Sequence, residues 1–125
     1  MNLPEELKYT KSHEWVRITA EGVLEIGLSD FAQQELGDIV FVSLPEPGDS
    51  LKAGVSFADV ESVKAVSEVY SPVTGTVTAI NEKVTASPES INESPYEAWL
   101  IRAEGEPRAG ELLSAAEYKA LLPRE

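Results

Sequence analysis

The sequence contains no cysteine. That excludes disulfides, thiolate metal sites and any thiol nucleophile of the chain's own, so redox chemistry here must be borrowed from a cofactor. Long apolar runs are missing too: nothing approaches the roughly 20 residues that span a bilayer, and no membrane association is expected. The opening Met1-Asn2-Leu3-Pro4-Glu5-Glu6 has neither the basic nor the apolar region of a secretory signal, and the expected location is the cytoplasm. Basic residues are scarce, 10 against 22 acidic ones, giving a net charge of -12 at pH 7. Such a surface opposes the counterion release that drives nucleic-acid binding, and anionic lipid repels it. Partner proteins with basic faces are expected instead, with acidity aiding solubility and encounter.

With 125 residues, 42% of them hydrophobic, the chain can bury one real core but not two. A single domain over 1–125 is expected, with its core over about residues 15–104. Leu7 to Ile18 is rich in aromatic and β-branched residues, and after Glu21-Gly22 comes Val23 to Leu28, the pattern of a hairpin joined through Gly22. A short helix is predicted near 29–36: Ser29 or Asp30 can cap it, Gln33 can close a capping box with Asp30, and Gly37 suits a left-handed end. Strands are predicted at Ile39–Leu44, Val55–Val60, Ala65–Tyr70, Gly75–Asn81 and Ala98–Ala103, with a turn at Pro45–Asp49. Ser71 to Gly75 is expected to turn sharply, with Gly75 at positive φ. Val40–Val60 and Gly75–Ile101 form a faint repeat, each strand, polar turn, strand. Ser114 and Glu117 form a capping box for a C-terminal helix over about 114–122, stopped by Pro123 and packed by Leu112, Leu113, Leu121 and Leu122.

The segment Val60-Glu61-Ser62-Val63-Lys64-Ala65-Val66-Ser67-Glu68-Val69-Tyr70 joins two β-rich runs without a glycine or any ordinary turn pair. It is longer than a usual strand of about 5–6 residues, so a tight hairpin with Lys64 near its tip fits a small domain better. An arbitrary lysine there would be an edge-strand gatekeeper. Its context is not arbitrary. Glu-Ser-Val-Lys-Ala, preceded by Gly48-Asp49 and Lys52-Ala53-Gly54 and followed by Ser71-Pro72-Val73-Thr74-Gly75, closely resembles the lipoyl-attachment motif of glycine cleavage H proteins. Tyr9 to Val16, Gly27 to Gln33, Leu36 to Val42, Leu44 to Gly48 and Ile91 to Tyr96 resemble further blocks of that family in the same order, over nearly the whole chain. At one place the chain departs: Pro95-Tyr96-Glu97-Ala98-Trp99 is one residue shorter than the family's Pro-Tyr-Gly-Glu-Gly-Trp and lacks both glycines.

The resemblance implies a mainly β fold, a flattened β-barrel or barrel-sandwich hybrid of lipoyl-domain type. It implies lipoate covalently attached to Lys64, with Glu61, Ser62, Val63 and Ala65 as the surroundings read by lipoate-attaching enzymes. Glu14 and Glu68 become candidates for the cleft where the loaded arm rests. The implied function is that of a carrier, not an enzyme. It takes the aminomethyl group of glycine from the pyridoxal-phosphate glycine decarboxylase (P protein) to the tetrahydrofolate-dependent aminomethyltransferase (T protein), and dihydrolipoamide dehydrogenase (L protein) reoxidises it. A monomer in a bacterial cytoplasm is expected. An H-like relay handing lipoate to 2-oxoacid dehydrogenase domains is the alternative, and an enzyme using Glu14 or Glu68 is a more distant one. Ser12-His13-Glu14 is not expected to form a hydrolase relay, because neighbours on a strand face opposite ways; a structural or interface role is expected for His13. No cluster has metal-ligand spacing.

Overall fold

In the computed structural model, which describes residues 1–19, 21–107 and 111–123, the N-terminal β-rich stretch is broken where a continuous strand was expected. β1 (Lys8–Tyr9) ends, the chain reverses over Thr10–His13, and β2 (Glu14–Ile18) runs back antiparallel, pairing Tyr9 with Trp15. His13 takes φ +74°, the one non-glycine residue at positive φ among those described. Histidine tolerates that region better than most residues, so the break carries neither glycine nor proline as a signal. β2 then pairs with β3 (Leu24–Leu28) in the expected hairpin, Val16 facing Ile26. Gly22 sits at φ +79° in the connection.

β3 is buried along its whole length. Leu24, Ile26 and Leu28 enter the main core, while Glu25 is gripped by Arg17 and Arg102, both at 2.9 Å. Trp15 covers Gly27 so closely that a Cβ there would lie 2.7 Å from the indole. The two arginines stack on Trp15 and Trp99 in turn. The shortened 95–99 segment is tied in by the same residues: Trp15 Nε1 donates to Pro95 O, and Arg17 donates to Tyr96 O.

α1 (Asp30–Leu36) follows, and Ser29 is its cap, its hydroxyl accepting from the Ala32 N–H. The expected Asp30 capping box does not form; Gln33 donates instead to the Asp30 side chain, one turn along the same face. Gly37 ends the helix at φ +76°. β4 (Ile39–Ser43), β5 (Ser50–Leu51), β6 (Ser56–Ser62) and β7 (Val66–Tyr70) come next, then β8 (Val73–Ile80). Two helices absent from the sequence expectation, α2 (Glu82–Ala86) and α3 (Ser90–Glu93), occupy the interval before β9 (Ile101–Pro107). They replace the polar turn of the supposed second repeat. Asn81 caps α2 with its side chain, and the buried Val84 and Ile91 anchor the pair.

Among the described residues all strand pairs are antiparallel. One sheet has six strands, ordered β1-β2-β3-β9-β8-β5; the other has three, ordered β4-β6-β7. Their apolar faces meet in one cluster that includes Ile26, Val42, Val60, Val69, Val77 and Ile101. Gly75 is not at a turn. It pairs with Gly105 inside the β8–β9 ladder, and a Cβ there would fall 1.9 Å from the Glu104 carbonyl oxygen. Close backbone approach, not positive φ, is what requires glycine at 75. A second cluster joins Leu7, Tyr9, Trp15, Ala115 and Tyr118. Here α4 (Ala115–Leu121) docks, opened by the expected Ser114–Glu117 capping box. Tyr118, stacked on Tyr9 at 4.8 Å, is its main anchor, while Leu121 is exposed rather than packed.

Candidate functional site

β6 and β7 form a hairpin whose last pair is Glu61 with Val66, leaving Lys64 at its tip. Ser62 supplies what a turn glycine would otherwise provide. Its N–H donates to Ala65 O at 2.8 Å, and its hydroxyl oxygen accepts from the Lys64 and Ala65 N–H groups, each at 3.1 Å. A serine that satisfies the loop's own amides is a local turn device, which is why the chain reverses without glycine. The Val63 N–H donates to Asp38 O at 3.0 Å, resting the tip on the segment between α1 and β4. Lys64 itself is exposed, as are Val63, Ala65 and Glu61. Among the described residues no carboxylate is within ion-pair distance of Lys64 Nζ.

Glu14 behaves differently. It is 1% exposed, and one carboxylate oxygen accepts from Thr10 Oγ1 at 2.6 Å and Ser12 Oγ at 2.5 Å. The other accepts from the Tyr70 N–H at 3.3 Å. Burial pushes the carboxyl above its usual range, against the pull of these hydrogen bonds. A cleft of about 220 Å³ opens here, lined by Thr10, Ser12, Glu14, Tyr70, Ser71 and Pro72 among others. It presents the buried Glu14 carboxyl, held by Thr10, Ser12 and the Tyr70 N–H, beside the Tyr70 side chain.

The structure thus brings Glu14 to a cleft and leaves Glu68 on an exposed strand face, where its carboxylate accepts from Tyr70 Oη at 2.9 Å. Tyr70 links the two, lining the cleft and bonding Glu68. β7 is therefore a continuous track from the lysine tip, past Glu68, to the cleft mouth. Ser12 does bond Glu14, but His13 turns away: its Nδ1 lies 2.7 Å from Tyr118 Oη, and its ring packs on Phe31. It fastens α4 to the turn before β2. No hydrolase relay exists, and among the described residues no acidic or histidine cluster could hold a metal ion.

Sequence reasoning missed Thr10, Ser12 and Tyr70 as companions of Glu14. Two hydroxyl residues at alternate positions before a glutamate were the available signal for the first two. Tyr70 is 56 positions away and had none.

Comparison with known proteins agrees with this geometry. The profile of the family described as glycine cleavage H-protein matches residues 7–125. The glycine cleavage system H protein of Lachnoclostridium phytofermentans is 52% identical over 125 residues, covering 100% of this chain and 98% of that protein. The H protein of Halalkalibacterium halodurans is 54% identical over 127 residues, covering 99% and 98%. The crystal structure of the Mycobacterium marinum H protein superposes with a TM-score of 0.88 at 38% identity, covering 94% of this chain and 96% of that one. The family match over residues 7–125 and the full-length kinship to H proteins make the chain a member of the glycine cleavage H-protein family, a lipoyl carrier component in glycine cleavage and not itself an enzyme.

Proposed function

We propose that lipoate is attached to Lys64, that the whole chain acts as one carrier domain, and that Glu14 heads the cleft receiving the loaded arm. The observation that carries this is the placement of Lys64 at an exposed tip with no ion pair among the described residues, joined by β7 to the Glu14 cleft. Attached through an amide at Nζ, lipoate supplies the two-electron dithiol couple and the sulfur that this cysteine-free chain lacks.

The chain's own residues do the rest. Ser62 and Asp38 hold the backbone of the tip while the lysine stem projects, which is the preorganisation an attaching enzyme needs. Acylation needs the unprotonated amine, and the attaching enzyme brings the base that takes its proton. Glu61, Val63 and Ala65, all exposed around the tip, are the features such an enzyme reads. Glu14 favours the protonated form of an amine brought beside it, and Ser12 and Thr10 keep its carboxylate oriented. A protonated amine has no lone pair with which to expel a thiolate, so the aminomethyl cargo is retained. Glu68 stands along the way and supplies a weaker, solvent-screened attraction.

The partners are the P, T and L proteins and the lipoate-attaching enzymes. Serving several of them calls for modest, electrostatically steered contacts, which the acidic surface suits. The relatives named above are bacterial, which supports a carrier in a bacterial cytoplasm; no helix among the described residues is long and apolar enough to cross a membrane. Reconstitution with the three partner enzymes tests this function. The lipoylated chain is expected to sustain glycine cleavage and the Lys64→Arg chain to give none, with both melting alike. Turnover with Lys64→Arg would overturn it.

A further inference from the structure

The lysine tip rests on a shelf whose geometry is fixed from elsewhere in the chain. Gly37 has φ +76° and ψ -153°, a conformation that ends α1 without continuing into β4. Its bare Cα leaves room for the lysine: a Cβ at 37 would lie 3.1 Å from Lys64 Cε and 3.7 Å from Nζ. The next residue, Asp38, offers the carbonyl that accepts from the Val63 N–H. Residues 37 and 38 are thus the floor under the tip.

One side chain spans that floor. Asn92, on α3, accepts from the Ile39 N–H through Oδ1 at 2.9 Å and donates through Nδ2 to Gly37 O at 2.8 Å and to Gln33 Oε1 at 3.1 Å. It therefore ties the backbone on both sides of Asp38 and the last turn of α1. Bracing Asp38 from both sides needs an acceptor for the Ile39 N–H and a donor for Gly37 O on one short planar group. Aspartate lacks the donor, and alanine lacks both functions.

We infer that Asn92 is a positioning residue for lipoylation: by clamping Gly37 and Ile39 around Asp38, it fixes the shelf that holds the Lys64 tip in the form the attaching enzyme recognises. This rests on Lys64 being the lipoylated residue. In that step Nζ of Lys64 forms a C–N bond to the carbonyl carbon of lipoyl adenylate. The bond from that carbon to the phosphate oxygen breaks, AMP leaves, and the amine proton passes to a base of the attaching enzyme. Asn92 touches none of these atoms. A tip that is held only part of the time lowers the fraction of competent substrate, which raises KM and leaves kcat alone.

The test uses the full unlipoylated chain with a lipoate–protein ligase, lipoate and ATP, well below melting, for wild type, Asn92→Asp, Asn92→Ala and Gln33→Ala. Peptide mass mapping of the wild-type product fixes where the lipoate goes. KM for the Asn92 variants is expected to rise about tenfold with kcat unchanged, the effect of losing a half-buried hydrogen bond. Gln33→Ala, which spares the bonds to Gly37 and Ile39, is expected to stay near wild type. Independently of any ligase, hydrogen exchange at the Val63 amide is expected to speed up about tenfold in the Asn92 variants while the Val77 amide, bonded to Asp49 O far from the shelf, is unaffected. Should Asn92→Ala fail to fold, Asn92→Asp, which keeps the acceptor for Ile39, carries both measurements. Lowered melting with unchanged KM and unchanged Val63 exchange would make Asn92 merely structural and overturn the inference. Lipoate mapped to another lysine would overturn the attachment site itself, and the inference with it.

Discussion

The Tyr70 main-chain N–H donates to Glu14 Oε2 at 3.3 Å, joining the end of β7 in the three-stranded sheet to the start of β2 in the six-stranded one. The strand that begins beside the lysine tip therefore ends on the cleft carboxylate. Any movement of β7 is felt at both places. The bond also keeps Glu14 hydrogen-bonded on both oxygens while it is buried, and an unpaired carboxylate at that depth would not be tolerated.

Burial raises the folded-state pKa of Glu14 above its ordinary value of 4.5. The fold thus favours the neutral acid: this contribution to stability is full below the unfolded pKa and is lost as pH rises through the folded one. Glu14→Gln removes the linkage. Its melting temperature relative to wild type is expected to climb as pH rises above the ordinary carboxyl value of 4.5. A difference that stays flat or falls would mean that burial does not raise the Glu14 pKa in the folded chain.

The same residue should govern retention of cargo. Loss of the aminomethyl group as formaldehyde from the loaded carrier, followed in the absence of T protein, is expected to be about tenfold faster in Glu14→Gln. Glu68→Gln should stay within about twofold, because an exposed carboxylate acts through solvent. Equal rates in all three proteins would leave the cleft without the protective role assigned to it.

Gly75 and Gly22 require glycine for different reasons, and substitution separates them. Gly75→Ala places a Cβ 1.9 Å from the Glu104 carbonyl oxygen, so the β8–β9 ladder must part; a loss of about 3 kcal/mol or more is expected by denaturant unfolding. Gly22→Ala meets nothing within 4 Å and bears only the conformational cost of φ +79°, about 1–2 kcal/mol. The reverse order would refute the close-approach explanation.

Much of this was legible in the sequence, and the gaps have physical causes. The Lys64 hairpin announced itself because Val60 to Tyr70 is too long for one strand, and Ser114 with Glu117 is a local device that needs only neighbouring residues to work. The break before β2 was hidden because His13, not glycine, carries the positive φ. α2 and α3 were hidden because they are too short to establish a helical period. Gly75 was recognised as special for the wrong reason, since ladder contacts with Gly105 are set by pairing between distant segments. Glu14 illustrates the limit best. Its position was found by family likeness, but its burial depends on Tyr70, which no local pattern connects to it.

Ser62 offers a direct test of how the tip is held. Ser62→Ala removes the acceptor for the Lys64 and Ala65 N–H groups and is expected to cost about 1 kcal/mol while slowing lipoylation several-fold. Ser62→Thr keeps the hydroxyl and should restore the rate. Full-speed lipoylation of the alanine variant would show that the loop needs no such support.

The most direct measurement is the mass of every lysine-containing peptide after the chain is lipoylated, for wild type and Lys64→Arg. The lipoyl increment is expected on the Lys64 peptide alone, and Lys64→Arg should carry none while melting as wild type does, within about 0.5 kcal/mol in stability, because an exposed tip residue contributes little to the fold. Lipoate on Lys11, Lys52 or Lys83, or an adduct that persists in Lys64→Arg, would contradict the assignment of this hairpin as the carrier's arm.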